Sequence, residues 1–391
     1  MCEVGRRHFC YGRVMLAVSH SRAHMVFAGV LVACSFESFS TGTDGGDAET
    51  TTATGEQGSA SSNAEGESGA PSEQGSSVAS TTSGDPPESS TTDEPSDSSA
   101  GSTTATGGDR RTDLGAELTC PREGDLGPGD HAVEIDHAGT MRNYKLHVPS
   151  NYDPHAPTVL FINMHGLYSN PDQQTEFSAT NQASDAQGFV VAYPQGQDNS
   201  WNGGTCCGSA AANMVDDVAF LEDVVADISK QLCIDPRRVY ATGMSNGGYM
   251  SHRLGCEAND VFAGIAPVAG AMGISDCTPE RPVPVIAFHG VQDTYVVYSA
   301  GEAAIQEWIG HNGCTGDPVR SDFGGSHCDR WESCDEDVQV EFCTLDPMGH
   351  CWPDGSETFC SLVPGNGIYN ADIDANARMW EFLIRFTLPF K

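Results

Sequence analysis

The pentapeptide Gly243-Met244-Ser245-Asn246-Gly247 carries the most informative chemistry in this chain. It follows an apolar stretch at 238–242 and precedes a segment able to form a helix. In that setting a G-x-S-x-G sequence turns a strand sharply into a helix and leaves the serine side chain exposed at the tip, a nucleophile elbow. Bulky side chains two residues before or after the serine would strike the neighbouring strand and helix, so both positions are glycine. Small residues meet by chance, and the pentapeptide alone is weak. It gains meaning from Asp293 and His350, which follow it in the order serine, acid, histidine.

A serine hydroxyl is a poor nucleophile at its free pKa and needs an adjacent base. His350, in Pro347-Met348-Gly349-His350-Cys351-Trp352-Pro353 just after the last expected strand, is the candidate base. His165 and His289 end strands in His-Gly pairs, which more often shape turns, and His311 and His327 lie near or within an irregular segment. Asp293, shortly after a strand end, would hold the histidine in its useful tautomer and stabilise the imidazolium. Asp276 and Asp317 compete less well, being far from a strand end. An oxyanion hole needs two backbone N–H groups aimed at the developing charge. Asn246 supplies one, and Leu167 the other, with Gly166 as second choice. Trp201 and Trp352 flank these residues in the sequence. They are candidates for stacking on an aromatic or sugar group of the substrate, with packing under the loops as the competing reading. The run Asp372-Ile373-Asp374-Ala375-Asn376 has Ala377 and Leu383 where a calcium loop needs glycine and glutamate, so calcium is rejected there.

The elements that must position these residues are legible as patterns. Val133 and Ile135, then Tyr144, Leu146 and Val148, alternate as half-buried strands do. Continuous apolar runs at 158–164 and 189–193 suit buried central strands, and 172–187 between them suits a helix. A clearer helix starts at Asn213, with Val215, Val218, Leu221, Val225 and Ile228 forming one apolar face. Further strands are expected at 237–242, 262–269, 284–289 and 338–345, and a closing helix at 372–386. Alternating strands and helices imply a mostly parallel sheet with helices on both faces. Residues 312–337 fit no periodic pattern and hold Cys314, Cys328 and Cys334, which suggests a disulfide-held insertion near the rim of the site.

Composition divides the chain sharply. Residues 35–119 are rich in Ser, Thr, Gly, Glu and Asp, with 16 acidic residues against Arg110 and Arg111. Such a segment buries too little apolar surface to offset its ordering entropy, so a disordered tether is expected at 34–119. Its coil dimension is roughly 50 Å. Residues 1–33 read as a signal peptide: Arg6, Arg7, Arg13 and Arg22 precede an apolar run at 25–33 too short to span a bilayer. The run ends in Leu31-Val32-Ala33-Cys34, which resembles a bacterial lipobox and makes Cys34 the candidate lipidation site and membrane link. The true start is open between Met1 and Met15. The net charge of −35 argues against a nucleic-acid partner. Of 15 cysteines, twelve lie between Cys120 and Cys360, an even number that suits disulfides in an exported domain at 120–391. Zinc would need paired C-x-x-C or Cys/His spacing that is not present, so neither metal nor cofactor is expected.

Six stretches together resemble one family, the secreted esterases grouped as polyhydroxybutyrate depolymerases and feruloyl esterases. They are Asn163-Met164-His165-Gly166, residues 200–208 (SWNGGTCCG), residues 215–220 (VDDVAF), residues 241–250 (ATGMSNGGYM), Ala266-Pro267-Val268-Ala269-Gly270 and Gly349-His350-Cys351-Trp352-Pro353. The resemblance covers about 131–386. It implies an α/β-hydrolase fold and ester hydrolysis without a metal, with Ser245 as nucleophile, Asp293 as acid and His350 as base. It also suggests the pairings Cys256–Cys277 and Cys207–Cys233. Two features depart from the family: Cys351, where a small hydroxyl residue is more usual, and the cysteine-bearing insertion. A disulfide at Cys351 would tie down the histidine loop.

The expectation is therefore a monomeric, exported serine esterase. Its substrate would be a polymeric ester, either a cinnamoyl ester of plant polysaccharide or a hydroxyalkanoate polyester. A serine peptidase of the same fold and a non-catalytic tethered binding lipoprotein are the alternatives.

Overall fold

The structure is a computed structural model that describes residue 120 and residues 126–389. The expected signal peptide at 1–33, the lipidation site Cys34 and the tether at 34–119 lie outside the described residues. Strands β1 (Gly129–His137) and β2 (Thr140–Val148) pair antiparallel around Ala138 and Gly139, both at positive φ (51° and 81°). Two successive left-handed residues match the twist of a tight hairpin.

Beyond this hairpin lie six parallel strands: β3 (Thr158–Met164), β4 (Val190–Pro194), β5 (Ile234–Met244), β6 (Gly264–Val268), β7 (Val285–Gly290) and β10 (Val340–Leu345). All but β5 are buried along their whole length, which explains their mainly apolar sequences. The sheet runs β1-β2-β4-β3-β5-β6-β7-β10, and two further strands follow beyond β10.

The last two strands correct the reading of 312–337 as an irregular insertion. β8 (Val319–Phe323) and β9 (Ser326–Trp331) form an antiparallel hairpin that extends the sheet from β10. It lacks a clear apolar alternation: β8, at the sheet edge, has no buried residue, and the two that β9 buries are Ser326 and Cys328. Charges sit across it instead, as in the facing pair Arg320 and Asp329, 2.6 Å apart. Cys314–Cys334 closes its base and Cys328–Cys343 staples β9 to β10.

Helices cover both faces. On one, α4 (Asp217–Gln231), α5 (Asn246–Glu257) and α6 (Tyr298–His311) bury Phe220, Leu254 and Trp308 in one apolar layer. On the other, α7 (Ala375–Leu383) buries Met379, Phe382 and Leu383 against Phe189, Phe288 and Leu345. The expected helix over 172–187 is two helices, α1 (Pro171–Ser178) and α2 (Thr180–Gln187), broken at Ala179 with φ 53°. Helix α4 starts later than expected: Asp216, not Asn213, is the N-cap and accepts the Ala219 N–H at 3.2 Å. A short helix, α3 (Gly208–Ala212), ends at Asn213 instead.

All twelve cysteines of this region are paired. Cys256–Cys277 forms as expected, whereas Cys207–Cys233 does not: Cys233 bonds Cys120 and Cys207 bonds its neighbour Cys206. Cys233 precedes β5 while Cys207 lines a cavity beyond its far end. A strand of this length separates its ends by roughly 30 Å, far outside disulfide reach. Six disulfides belong to an oxidising, extracellular setting. Among the described residues no helix is long and apolar enough to cross a membrane.

Candidate active site

Ser245 joins β5 to α5 with φ 57° and ψ −115°, a backbone state that costs of order 1–3 kcal/mol for a non-glycine residue. Its N–H donates to Val268 O at 2.9 Å and its carbonyl accepts the Tyr249 N–H at 2.9 Å, so the surroundings hold it there. The flanking glycines are required by space. A Cβ on Gly243 would lie 2.7 Å from the Gly247 backbone and from Met164 O, and one on Gly247 would lie 2.8 Å from His165 O.

His350 lies on the loop after β10 and Asp293 on the loop after β7. The His350 Nδ1–H donates to Asp293 Oδ2 at 2.6 Å. The other carboxylate oxygen accepts the backbone N–H groups of Tyr295 (2.9 Å) and Val296 (3.0 Å) and the side-chain amide of Asn366 (3.3 Å). Asn366 also accepts the His350 backbone N–H on its carbonyl at 3.0 Å. It thus aligns acid and histidine together, a role that no local sequence pattern signals. The bridge Cys351–Cys360 anchors the same loop next to the histidine.

The competing histidines have other work. His289 donates from Nε2 to Val296 O at 2.8 Å, and burial lowers its pKa. His165 donates from Nδ1 to Gly166 O at 2.7 Å and accepts the Gly196 N–H on Nε2 at 3.0 Å. That neutral tautomer is favoured because burial pushes its pKa down to about 4.

On the other side of Ser245, the loop at 195–208 is tied down by buried polar groups. The Asn246 side chain accepts the Trp201 N–H at 2.7 Å and donates to Trp201 O at 3.0 Å. The Trp201 indole N–H donates to His165 O at 3.0 Å. Asp217 accepts the Asn202 N–H at 2.8 Å and pairs with Arg142 at 2.9 Å. Burial raises the Asp217 carboxyl against the pull of the Asn202 N–H and Arg142. The Asn246 backbone N–H opens α5, where it has no acceptor within the helix and lies at the positive end of its dipole. Gly166 and Leu167 stand on the adjoining loop; a Cβ on Gly166 would be 3.5 Å from the Ser245 Cβ.

One cavity of about 710 Å³ gathers these parts. Ser245, His350, Gly166 and Leu167 line it, with Phe177, Phe359, Leu362 and Val363 providing apolar wall and the Cys206–Cys207 disulfide another part. Among the described residues no Asp, Glu, Lys or Arg lines it. The structure corrects the two tryptophans. Trp201 and Trp352 are 0% and 1% exposed, packed in opposite layers of the core, and neither lines the cavity. Trp201 is consumed by its hydrogen bonds beneath the loop. The exposed aromatics at the cavity are instead Tyr168 (77%) and Tyr295 (56%). The hairpin at β8–β9 contributes no lining residue, contrary to its expected place at the rim.

A parallel sheet carries a strained serine elbow after β5, with an acid after β7 and a histidine after β10. The fold is that of an α/β-hydrolase. A model of the prolyl oligopeptidase family matches residues 175–278, which include the elbow but neither Asp293 nor His350. Feruloyl esterase B of Piromyces equi is 33% identical over 267 residues, 62% of this chain and 44% of that protein. The α/β-hydrolase described here therefore spans less than half the length of that relative. A probable feruloyl esterase C of Aspergillus niger is 26% identical over 216 residues, 53% of this chain and 73% of its own. The solved acetyl xylan esterase from Aspergillus awamori aligns with a TM-score of 0.46 at 16% identity, over 56% of this chain and 94% of that one.

Proposed function

We propose that this chain is a serine carboxylic-ester hydrolase acting on ester-substituted plant polysaccharide. The observation that carries the reading is the His350–Asp293 hydrogen bond in a cavity that Ser245 shares. Ser245 Oγ attacks the ester carbonyl while His350 Nε2 takes its proton, and Asp293 stabilises the resulting imidazolium. The tetrahedral oxyanion is held by the N–H groups of Asn246 and Leu167. His350 then protonates the departing alcohol, and water, activated by the same histidine, releases the acid from Ser245.

Cinnamoyl esters are the proposed acyl class. The uncharged, apolar lining suits a planar aromatic acid, and relatives named feruloyl esterases point the same way. Methyl ferulate, acetylated xylan and hydroxybutyrate oligomers assayed side by side separate this class from small acyl groups and from polyesters. Cys34, outside the described residues, is proposed as a lipid anchor; loss of fatty-acid labelling in Cys34→Ala checks it.

Ser245→Ala is expected to abolish hydrolysis of p-nitrophenyl acetate, by at least about 10³-fold, with the circular dichroism spectrum retained. Full activity in that variant removes the assignment. The family match at the elbow favours a peptidase as the second reading. Matched ester and amide substrates decide between them, with the ester expected to be the faster.

A further inference from the structure

We infer that the exposed face of Tyr295 is the platform on which the saccharide ring of the substrate's alcohol rests. The inference builds on the esterase reading and assigns the alcohol side of the same site. Tyr295 is fixed at both ends: its N–H donates to Asp293 Oδ1 at 2.9 Å and its hydroxyl to Pro364 O at 2.8 Å. Its ring lies 5.3 Å from the His350 ring, tilted by 42°. Yet 56% of the residue is exposed, and it lines the cavity. A large ring that is held rigidly and left uncovered loses little entropy when a ligand covers it.

Proton transfer decides which part of the substrate meets this ring. His350 must hand its proton to the leaving oxygen, so that oxygen stands against His350 and its substituent extends over the neighbours of the imidazole. Tyr295 is the exposed aromatic neighbour on that side. A sugar ring presents a face of C–H groups, which an aromatic face covers well, while its hydroxyls stay at the rim in water. Tyr168, the other exposed aromatic, stands on the opposite flank. It follows β3, whereas Tyr295 follows β7, and β5 with Ser245 lies between them in the sheet. Tyr168 also directly follows the proposed oxyanion donor Leu167, on the oxyanion side of the scissile ester and not the leaving-group side.

The test keeps the acid constant and changes the alcohol: methyl ferulate against ferulate esterified to an arabinose-bearing xylo-oligosaccharide. The native protein is expected to prefer the oligosaccharide ester in kcat/KM. Tyr295→Leu, which still covers His350 with apolar atoms, lowers that preference about three- to tenfold, chiefly through KM. Tyr295→Phe keeps the ring and keeps the preference. Tyr168→Leu changes both rates by the same factor. An unaltered preference in Tyr295→Leu, or an equal fall in Tyr168→Leu, overturns the inference while leaving an active esterase. A native protein that hydrolyses neither ester removes the esterase reading as well. Saturation-transfer NMR on Ser245→Ala protein, unchanged at residue 295, gives a second reading. Sugar C–H protons of the oligosaccharide are expected to receive magnetisation from the aromatic resonances, and no transfer overturns the platform.

Discussion

On the β3–β4 flank of Ser245 the loops next to the serine are held by neutral buried hydrogen bonds, from Gly196 N–H to His165, from Trp201 N–H to Asn246 and from the Trp201 indole to His165 O, with the buried Asp217–Arg142 pair behind Asn202. On the β7–β10 flank the fixing groups are a carboxylate beside an imidazole and a covalent bridge, Asp293 with His350 and Cys351–Cys360. The difference follows from what each flank does in the proposed reaction. Backbone N–H groups that receive an oxyanion must stay in place, and neutral partners do not compete with that charge. A histidine that gains and loses a proton needs a fixed counter-charge whose own hydrogen bonds are already complete. Asp293 meets that need through Tyr295, Val296 and Asn366.

Breaking the charged flank should have the largest effect on rate. Asp293→Asn retains shape but favours the wrong histidine tautomer, and kcat is expected to fall about 10³- to 10⁴-fold with little change in Tm. Stopped assays with p-nitrophenyl acetate measure it, and a fall below tenfold would show that Asp293 does not orient His350.

Removing the covalent part of that flank is expected to matter less. The double variant Cys351→Ala with Cys360→Ala opens a bridge of sequence separation 9. It should cost about 2–3 kcal/mol on the chain-entropy estimate and reduce activity severalfold as the histidine loop loosens. Urea unfolding and initial rates on the same preparation check both numbers; unchanged values would mean that Asn366 alone fixes the loop.

The neutral flank is tested by acid, which leaves the rate at neutral pH untouched and acts on stability alone. The folded-state pKa of His165 is about 4, below the ordinary 6.5, so protons bind the unfolded chain more readily. Its contribution is therefore complete above pH 6.5 and is lost as pH falls toward 4. His252, down to about 3 and hydrogen-bonded to the Trp308 indole at 2.9 Å, acts in the same direction away from the cavity. Tm measured from pH 7 to pH 4 should fall; a flat profile would mean that burial does not hold the His165 pKa below its ordinary value.

Local pattern determined several features of this protein before any tertiary contact was known. The elbow glycines and the mainly apolar strands are features of near neighbours in the chain, and the order of serine, acid and histidine is read directly along it. Periods of two and of 3.6 residues, and short turns, report only on residues a few positions apart. The tertiary structure decided the rest. Asn366 reaches Asp293 across 73 positions, and Cys233 finds Cys120 across 113. The β8–β9 hairpin has no apolar alternation, because β8 buries nothing and β9 buries only Ser326 and Cys328. The aromatics made the same point: Trp201 and Trp352 are covered and Tyr168 and Tyr295 are bare. Which rings meet solvent depends on what folds over them, and that is a property of packing rather than of spacing.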